Sequence, residues 1–563
     1  MKNKKQYTKI RALILSLFFL LGFNQLDAQN EMRCAVEIDA SIDELISPNI
    51  QPGDTICLLA GSRGALYFKN IIGSPEQPIV IINKGGQTLI DTDLAYGIKF
   101  VNCRYIVLSG AGNENYTYGI TIQNVSNGYG IGLESKSSDF EIENVEISNT
   151  SVSGIVAKTD PDCSYTAVRD SFTMYNLKIH DNYIHHTGNE GMYIGSSMFL
   201  GHYISECDTV LFPHIIDGVE IFNNRVEYTG WDAIQVGSAL NNCAVHDNQI
   251  FKDSQAEISY QMSGIMINVG SRCDVYNNKI INGKGTGIIN QGAGGQKFYN
   301  NLIVNAGRDY DFEDQSKQEF GIFSKYAYIQ APDSTFHFYN NTIINPKSDG
   351  IRIMNSHSEI NRIINNIIIN PGAYSYYATL GSVEYEPNDA YLHNYLGSSP
   401  IFASNNIFQR SAKNQFFVDT LAQNYQLTKD SPATNWGVDL TSYGIVFDLN
   451  NNPRPFENYF DIGAFELQTL TPIISIDKVV PNLKIYPNPA IDLLHLNFFL
   501  DKAQKLNVRL IGLDGKEIFL MQDVLFEQGK NEKTIALKAI HSGTYLLVLE
   551  NETKRMIQKV QKF

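Results

Sequence analysis

The stretch DVYNNKIINGKGTGIIN, residues 274–290, contains the pattern that repeats through most of the chain. An apolar residue, an aromatic ring and two asparagines come first, followed by a short apolar run, a polar turn and Gly287. With Asn278 as reference, the same position is held by Asn182, Asn224, Asn248, Asn301, Asn341 and Asn366. The intervals are 42, 24, 30, 23, 40 and 25 residues. The repeating unit therefore has about 23 to 25 residues, and the long intervals contain inserted loops.

Side chains around the reference asparagine alternate in character. The third residue before it and the second residue after it are apolar in every unit, whereas the residue two positions before it is mostly aromatic, as at Tyr276. A period of two indicates short strands that meet at a tight turn. Stacked asparagine amides are expected to hydrogen-bond along their column, as in other parallel stacks. The sequence predicts an all-β solenoid in which His180 and His246 belong to a structural stack of rings.

The N-terminal residues have the features of an export signal. Five basic residues precede the apolar run Ala12 to Phe23, which is too short to anchor the chain in a bilayer, and the small residue Ala28 follows. We expect residues 1–28 to be a signal peptide. Its removal takes away five basic residues and Asp27, so the formal charge of −15 becomes −19. Such an acidic chain argues against nucleic acid as a partner, and no second hydrophobic span is present.

The chain also suggests how the solenoid is covered and cross-linked. Ser41 to Glu44 matches a capping box, so we expect a short amphipathic helix there to cover the open apolar end. Cys163 and Cys207 both fall in inserted loops of adjacent coils, which predicts a disulfide between them. Cys243 and Cys273 each stand five residues before their reference asparagine, and we expect both to be buried core thiols.

The repeat resembles the right-handed parallel β-helix of the pectin-lyase-like superfamily, over roughly residues 50–466. In that superfamily an asparagine ladder lies between the second and third sheets, and the first sheet forms the floor of the binding cleft. The opening PGDTICLLAG through PIVIINKGGQTLID, residues 52–91, resembles secreted alginate lyases and chondroitinase B, which use a Lys and Arg pair with calcium. The resemblance implies domain 29–466 as the β-helix and a carbohydrate as its ligand. No catalytic motif of that family can be placed on this sequence.

The C-terminal part differs from the repeat. After a predicted linker at 467–480, residues 481–563 show alternating strands and Gly, Asn or Asp turns, which favour a small β-sandwich. The string YPNP, a later Asp-Gly turn, SGTY and a basic tail resemble the type A sorting domain of the Bacteroidetes type IX secretion system. This resemblance implies the type IX machinery as a partner and an extracellular or cell-surface location.

Candidate site residues come from the expected first sheet and its entering turn. Glu190 and Asp232 take the same column on neighbouring coils, about 4.8 Å apart. They fit a calcium site, an acid and nucleophile pair of a retaining glycosidase, or two solvated turn residues. The outward polar residues Glu134, Gln235, Asn268, Gln291 and Lys325 are predicted to bind substrate. The insertions at about 159–173 and 196–217 flank the same coils.

We expect a secreted carbohydrate-active β-helix protein, and a polysaccharide lyase rather than a glycosidase. A lyase acting on uronic acids needs a base, for which Lys158 or Lys325 would serve if burial beside other cations lowered the lysine pKa. Tyr193 would then protonate the leaving oxygen. His185 and His186 follow the ladder and would at most reach the rim of the cleft. The alternative is a non-catalytic adhesin or glycan-binding protein, in which the same columns bind without cleavage.

Overall fold

The computed structural model describes residues 33–562 except 312–313, 315, 327–333, 373–389, 413–415, 457–458, 469–482, 513–516, 542 and 552–554. The predicted signal peptide and most of the predicted linker lie outside the described residues. The chain divides into two compact units, Met1–Leu467 and Gln468–Phe563. In the described part of the chain, no helix is long and apolar enough to cross a membrane.

The first unit is a right-handed parallel β-helix whose coils stack strand upon strand. Among the residues that the structure describes, its first sheet has 12 parallel strands. These strands are Glu44–Ile46, Leu66–Lys69, Tyr96–Val101, Tyr129–Glu134, Ile155–Ala157, Met192–Ile194, Ile234–Val236, Ser263–Ile267, Thr286–Asn290, Ile322–Ser324, Ile351–Ile353 and Leu392–Asn394. The expected first sheet is present, with the columns in the register that the repeat predicts.

The second and third sheets join into one 23-stranded sheet, because Ile79–Thr92 pairs with strands of both. The second sheet comprises Val36–Ile38, Thr55–Arg63, Ile79–Thr92, Arg104–Ser109, Ser138–Glu143, Thr173–His180, Ile215–Phe222, Ala239–His246, Cys273–Tyr276, Gln296–Tyr299, Phe336–Tyr339, Asn361–Ile364 and Ile401–Ser404. The third comprises Ile120–Val125, Val145–Thr150, Tyr183–Thr187, Arg225–Thr229, Gln249–Phe251, Lys279–Ile281, Leu302–Val304, Thr342–Ile344, Ile367–Ile369 and Ile407–Gln409.

The predicted asparagine ladder lies at the turn between the second and third sheets. The Asn278 side chain donates to Asn301 Oδ1 at 3.0 Å and accepts from Asn248 Nδ2 at 3.0 Å, and both neighbours are fully buried. The residue before it, Asn277, has a left-handed φ of 54°, a conformation that Asn and Asp adopt more readily than other residues with a side chain. This backbone requirement explains why asparagines come in pairs.

Apolar residues fill the interior, and the predicted ring stack lies outside it on the second sheet. Val275 and Phe298 in the column before the ladder are fully buried. On the opposite face, His246 stacks on Tyr276 with ring centroids 4.6 Å apart, and His180 stacks on Phe222 at 4.6 Å. These histidines are therefore part of the scaffold, as expected.

The predicted N-terminal capping helix is wrong. Ser41 donates its hydroxyl to Asp39 Oδ1 at 2.6 Å, and the next residues form the strand Glu44–Ile46, which pairs with Leu66–Lys69. The backbone N–H groups thus find partners in the first sheet rather than within a helix. Arg63 covers this end, because its guanidinium donates to the carbonyl oxygens of Asp39 and Ile42.

Three disulfides are present. The predicted Cys163–Cys207 bond is confirmed, with 5.8 Å between the Cα atoms. The prediction of free thiols at Cys243 and Cys273 is wrong, because these residues pair directly across neighbouring coils with 4.4 Å between the Cα atoms and form a disulfide. Cys34 and Cys57 form the third.

The remaining elements of the first unit are short. Two antiparallel hairpins and three 3₁₀ helices occur in its described residues: His202–Ile204 with Thr209–Leu211, Phe417–Asp419 with Asn424–Leu427, and the helices Ser205–Cys207, Tyr395–Gly397 and Thr441–Tyr443. After the last strand of the third sheet, Phe416, Leu427 and Phe465 pack against apolar side chains of that sheet such as Leu302 and Ile367.

The second unit is the predicted small β-sandwich. One antiparallel sheet contains Lys484–Tyr486, Leu493–Leu500 and Gly529–Ala536, and the other contains Glu517–Phe526, Gln504–Gly512, Gly543–Glu550 and Arg555–Lys562. Leu496, Leu506 and Leu547 belong to one buried cluster between the two sheets.

Candidate functional site

A pocket of about 530 Å³ opens on the first sheet where the long insertions leave the β-helix. Its lining includes Tyr129, Lys158, Asp160, Glu190, Tyr193 and Trp231. We call it the Glu190 pocket. It combines three aromatic rings with ionisable groups, which is a usual composition for a small-molecule pocket.

The two insertions form one cross-linked wall beside this pocket. Cys163 of the first insertion is bonded to Cys207 of the second, and Arg169 N donates to Phe212 O at 2.8 Å. His214 is fully buried at the base of the wall and accepts a hydrogen bond from Thr159 N at 3.1 Å. Burial lowers the pKa of His214, so the imidazole is a neutral structural group.

Glu190 is the buried carboxyl group of the pocket. Its side chain is 3% exposed and accepts a hydrogen bond from Ser153 Oγ at 2.7 Å. Burial raises the pKa of Glu190, while the Ser153 hydroxyl and the Lys158 ammonium act in the opposite direction. Because the net shift is upward, Glu190 keeps its proton to a higher pH than an exposed glutamate and is suited to donate it.

Asp232 lies next to Glu190 in the same column but does not line the pocket. Gly191 N donates to Asp232 O at 3.0 Å, which confirms that the two acids stand on neighbouring coils. Asp232 is fully buried; Ser263 Oγ donates to its Oδ1 at 2.6 Å, and its Oδ2 has no hydrogen-bond partner. Burial raises the Asp232 pKa well above its usual value. Neither acid is a solvated turn residue, and only Glu190 faces the pocket.

Lys158 and Tyr193 are both in the pocket and touch each other. The Lys158 ammonium lies 4.8 Å from the centre of the Tyr193 ring and bridges to Asp160 at 2.9 Å. Burial opposes the positive charge, but Tyr193 and Asp160 outweigh it, and the pKa of Lys158 is raised. The lowering expected for a lysine base is therefore not found at Lys158. The Tyr193 hydroxyl is hydrogen-bonded to Ser197 Oγ at 3.0 Å.

The other predicted binding residues spread along the first sheet. Glu134 bridges to Lys99 at 2.7 Å and accepts from the Tyr129 hydroxyl. Gln235 pairs with Tyr193 on the next coil, and Asn268 and Gln291 follow farther along. None of these three amide side chains hydrogen-bonds to another residue that the structure describes. Gln235 and Asn268 are 4% and 8% exposed, so only Gln291 presents appreciable surface to a ligand on the first sheet.

A second pocket of about 360 Å³ lies farther along the same sheet, and we call it the Lys325 pocket. Burial lowers the pKa of Lys325, while Glu319 and Asp232 oppose that shift. Burial also raises the pKa of Glu319 to about 8, and Thr286 Oγ1 donates to its Oε2 at 2.6 Å. Sequence reasoning missed Glu319. In this coil Phe320 holds the position that Glu190 and Asp232 hold in theirs, and Glu319 comes one residue earlier. The acid directly before that position was the signal that could have identified Glu319.

The predicted calcium at Glu190 and Asp232 stays a prediction. Each carboxyl group already accepts a hydrogen bond from a serine hydroxyl, and calcium takes six to eight oxygen ligands.

In the described part of the chain, ligand atoms of three acidic or histidine residues come within 4.8 Å of one another at Glu141, Glu143 and His180 on the second sheet. His180 is occupied there by Glu141 and Asp181. His185 contacts His186 and Glu146 on the third sheet, outside both pockets.

Comparisons with known proteins agree with this architecture. A family model described as right handed beta helix region matches residues 214–408, and one described as secretion system C-terminal sorting domain matches residues 484–562. Comparison with curated proteins gives no match.

Two solved structures show limited likeness. The GH136 lacto-N-biosidase from Eubacterium ramulus is 13% identical with a TM-score of 0.42, over 65% of this chain and 63% of the other. The enzymatically active domain of bacteriophage CBA120 tailspike protein 2 is 11% identical with a TM-score of 0.28, over 90% and 72%. This chain therefore spans less than two thirds of the biosidase. The protein is a right-handed parallel β-helix that carries a type IX secretion sorting domain, which places it outside the cell or on its surface.

Proposed function

We propose that the protein hydrolyses a glycosidic bond in the Glu190 pocket, with Glu190 as the general acid. The observation that carries the proposal is a buried carboxyl group with a raised pKa at the floor of a pocket walled by aromatic rings. A protonated carboxyl group beside the scissile oxygen is what either type of glycosidase needs for departure of the leaving group.

The lining of the pocket suits a sugar ring. Tyr129, Tyr193 and Trp231 offer apolar ring surface, and Ser153 holds the Glu190 carboxyl in place. Glu134 and Asp160 line the same pocket and supply two candidates for the second carboxylate of the reaction. Asp232, which the sequence suggested as nucleophile, is assigned the role of a buried neighbour of Glu190, because its side chain has no access to the pocket.

The second candidate is β-elimination on a uronic acid polymer. It is favoured by the lowered pKa of Lys325, since a lysine that loses its proton more easily can act as a base. In that reaction Tyr193 lies too far along the sheet to be the proton donor for Lys325, because their strands are separated by those containing Gln235, Met266 and Ile289. Hydrolysis at Glu190 accounts for more of the observed groups.

The test is an assay of the full mature protein on neutral and uronic-acid glycans, with and without a calcium chelator. Hydrolysis yields reducing ends without unsaturated-uronate absorbance, and Glu190→Gln should lower the rate by about 10² to 10⁴ fold because the amide cannot donate the proton. Glu141→Gln, which changes a carboxylate on the second sheet, is the matched control and should keep the rate.

Three results would contradict the proposal. Absorbance from unsaturated uronate would indicate the lyase. Glycan binding without any cleavage would indicate an adhesin. Full activity of Glu190→Gln would move the site elsewhere. Loss of activity on adding chelator would not contradict hydrolysis, but would assign calcium a part in it.

A further inference from the structure

Lys325 lines a pocket on the first-sheet side of the β-helix and has no counter-ion, unlike three other lysines of that side. Lys99 bridges to Glu134 at 2.7 Å, Lys158 to Asp160 at 2.9 Å and Lys317 to Asp311 at 2.7 Å. The Lys325 ammonium makes no hydrogen bond or ion pair within 4.0 Å to any residue that the structure describes. A half-buried ammonium without a partner is costly, so the arrangement indicates that a ligand supplies the missing anion.

The surroundings of Lys325 form a recess rather than open surface. Its ammonium lies 5.4 Å from the centre of the Phe323 ring, and Phe320, Tyr310 and Thr286 line the same pocket. Tyr260 stands at this pocket with 87% of its surface exposed. The exposed Tyr260 ring and the mostly buried rings beside the cation form a suitable surface for a sugar that carries a negative charge.

The acids near Lys325 do not neutralise it fully. Glu319 is mostly protonated near neutral pH because burial raises its pKa to about 8. Asp232 also favours its protonated form. Lys317 is offset by Asp311. The pocket therefore presents one cation, and a protonated Glu319 that can donate a hydrogen bond to an anion.

We infer that the Lys325 pocket is a subsite for an anionic sugar substituent, a carboxylate or a sulfate ester, of the glycan cleaved in the Glu190 pocket. Lys325 and Glu319 are the specificity-determining residues. The inference rests on the proposed function, since it names the substrate class of the same cleft.

The position of the subsite fits an extended chain. From the strand Met192–Ile194 to the strand Ile322–Ser324 there are four steps of the first sheet, or roughly 19 Å at about 4.8 Å a step. Gln235, Asn268 and Gln291 lie on the outward columns of the three strands between, and Gln291 presents a free amide there. A linear glycan can therefore contact both pockets.

The experiment measures binding by full-length Glu190→Gln, which should cleave its ligand only slowly under the proposal. Calorimetry compares pairs of oligosaccharides: oligogalacturonate with its methyl ester, and sulfated with desulfated chondroitin oligosaccharide. The acid member of at least one pair should bind about tenfold more tightly, and Lys325→Met should abolish that preference. The responding pair identifies the carboxylate or the sulfate as the source.

Lys317→Met in the same background is the matched control and should keep the preference, because its ammonium is already paired with Asp311. A circular dichroism melt of each variant shows that the fold is intact. Equal binding of both members of every pair, or an unchanged preference in Lys325→Met, would overturn the subsite. Absence of hydrolysis by the wild type would overturn the proposed function, while an acid preference that depends on Lys325 would still support the anion subsite.

Discussion

Two columns of stacked polar residues in the β-helix, the asparagine ladder and the turn column before the first sheet, differ in how their polar atoms are satisfied. In the asparagine ladder each amide donates to the next at 2.9 to 3.0 Å, so a uniform buried column supplies its own partners. In the turn column before the first sheet, serine, glutamate, aspartate and threonine alternate, and Asp232 Oδ2 is buried without a partner.

This difference distinguishes structural residues from candidate functional residues. A column of identical amides gains nothing from a ligand, whereas carboxyl groups with raised pKa values and unpaired oxygens are not at their electrostatic optimum. Such groups are stabilised by the rest of the fold and are available for proton transfer or binding. The three predictions that follow test this separation.

The largest effect is expected in the ladder. Asn278→Ala leaves Asn248 Nδ2, Asn301 Oδ1 and the Val245 carbonyl each short of one hydrogen bond in the buried interior. We expect a loss of about 4 kcal/mol in the free energy of unfolding, measured by urea denaturation. The control is Asn223, the exposed residue just before the ladder residue Asn224. Asn223→Gly keeps the left-handed turn and should lower the free energy of unfolding by less than about 1 kcal/mol. Equal losses of unfolding free energy in Asn278→Ala and Asn223→Gly would contradict the special role of the ladder position.

A smaller effect is expected from the charge beside Glu190. Lys158 acts to lower the Glu190 pKa, so Lys158→Met should raise it further. The acid form then persists to higher pH, and the alkaline limb of kcat/KM should move upward. Lys158→Arg keeps the charge and should leave the limb in place. A downward shift of the limb, or none, would show that Glu190 is not the acid that the profile reports.

The smallest effect is expected at Tyr193. Tyr193→Phe keeps the ring under Lys158 and loses only the hydrogen bond to Ser197, so hydrolysis should fall less than about fivefold. If Tyr193 donated a proton to the leaving oxygen, the loss would be about 10² to 10⁴ fold. Steady-state rates on the best glycan of the assay panel decide between the two.

Errors of sequence interpretation arose where contacts between coils decide the outcome. The inward position of Cys243 and Cys273 was clear, but their bond depends on the two residues facing each other on adjacent coils. Ser41 to Glu44 has the residue pattern of a helix start, yet the strand Glu44–Ile46 makes its backbone hydrogen bonds with Leu66–Lys69 instead. Asp232 was correctly placed beside Glu190, but the burial that removes it from the pocket follows from packing around Ser263.

By itself the sequence determined the β-helix, the ladder and the ring stack, because each depends on a residue type recurring at a fixed place in the coil. It also determined the C-terminal sandwich, from alternating strands and turn residues, and the Cys163–Cys207 bond, from two cysteines in insertions of adjacent coils. Only the tertiary structure decided which acids reach a pocket, that the Lys325 ammonium in its pocket has no counter-ion, and which pKa values shift. Those properties depend on burial and on side chains one to four coils away. No local sequence pattern encodes how far those side chains lie from the ionisable group.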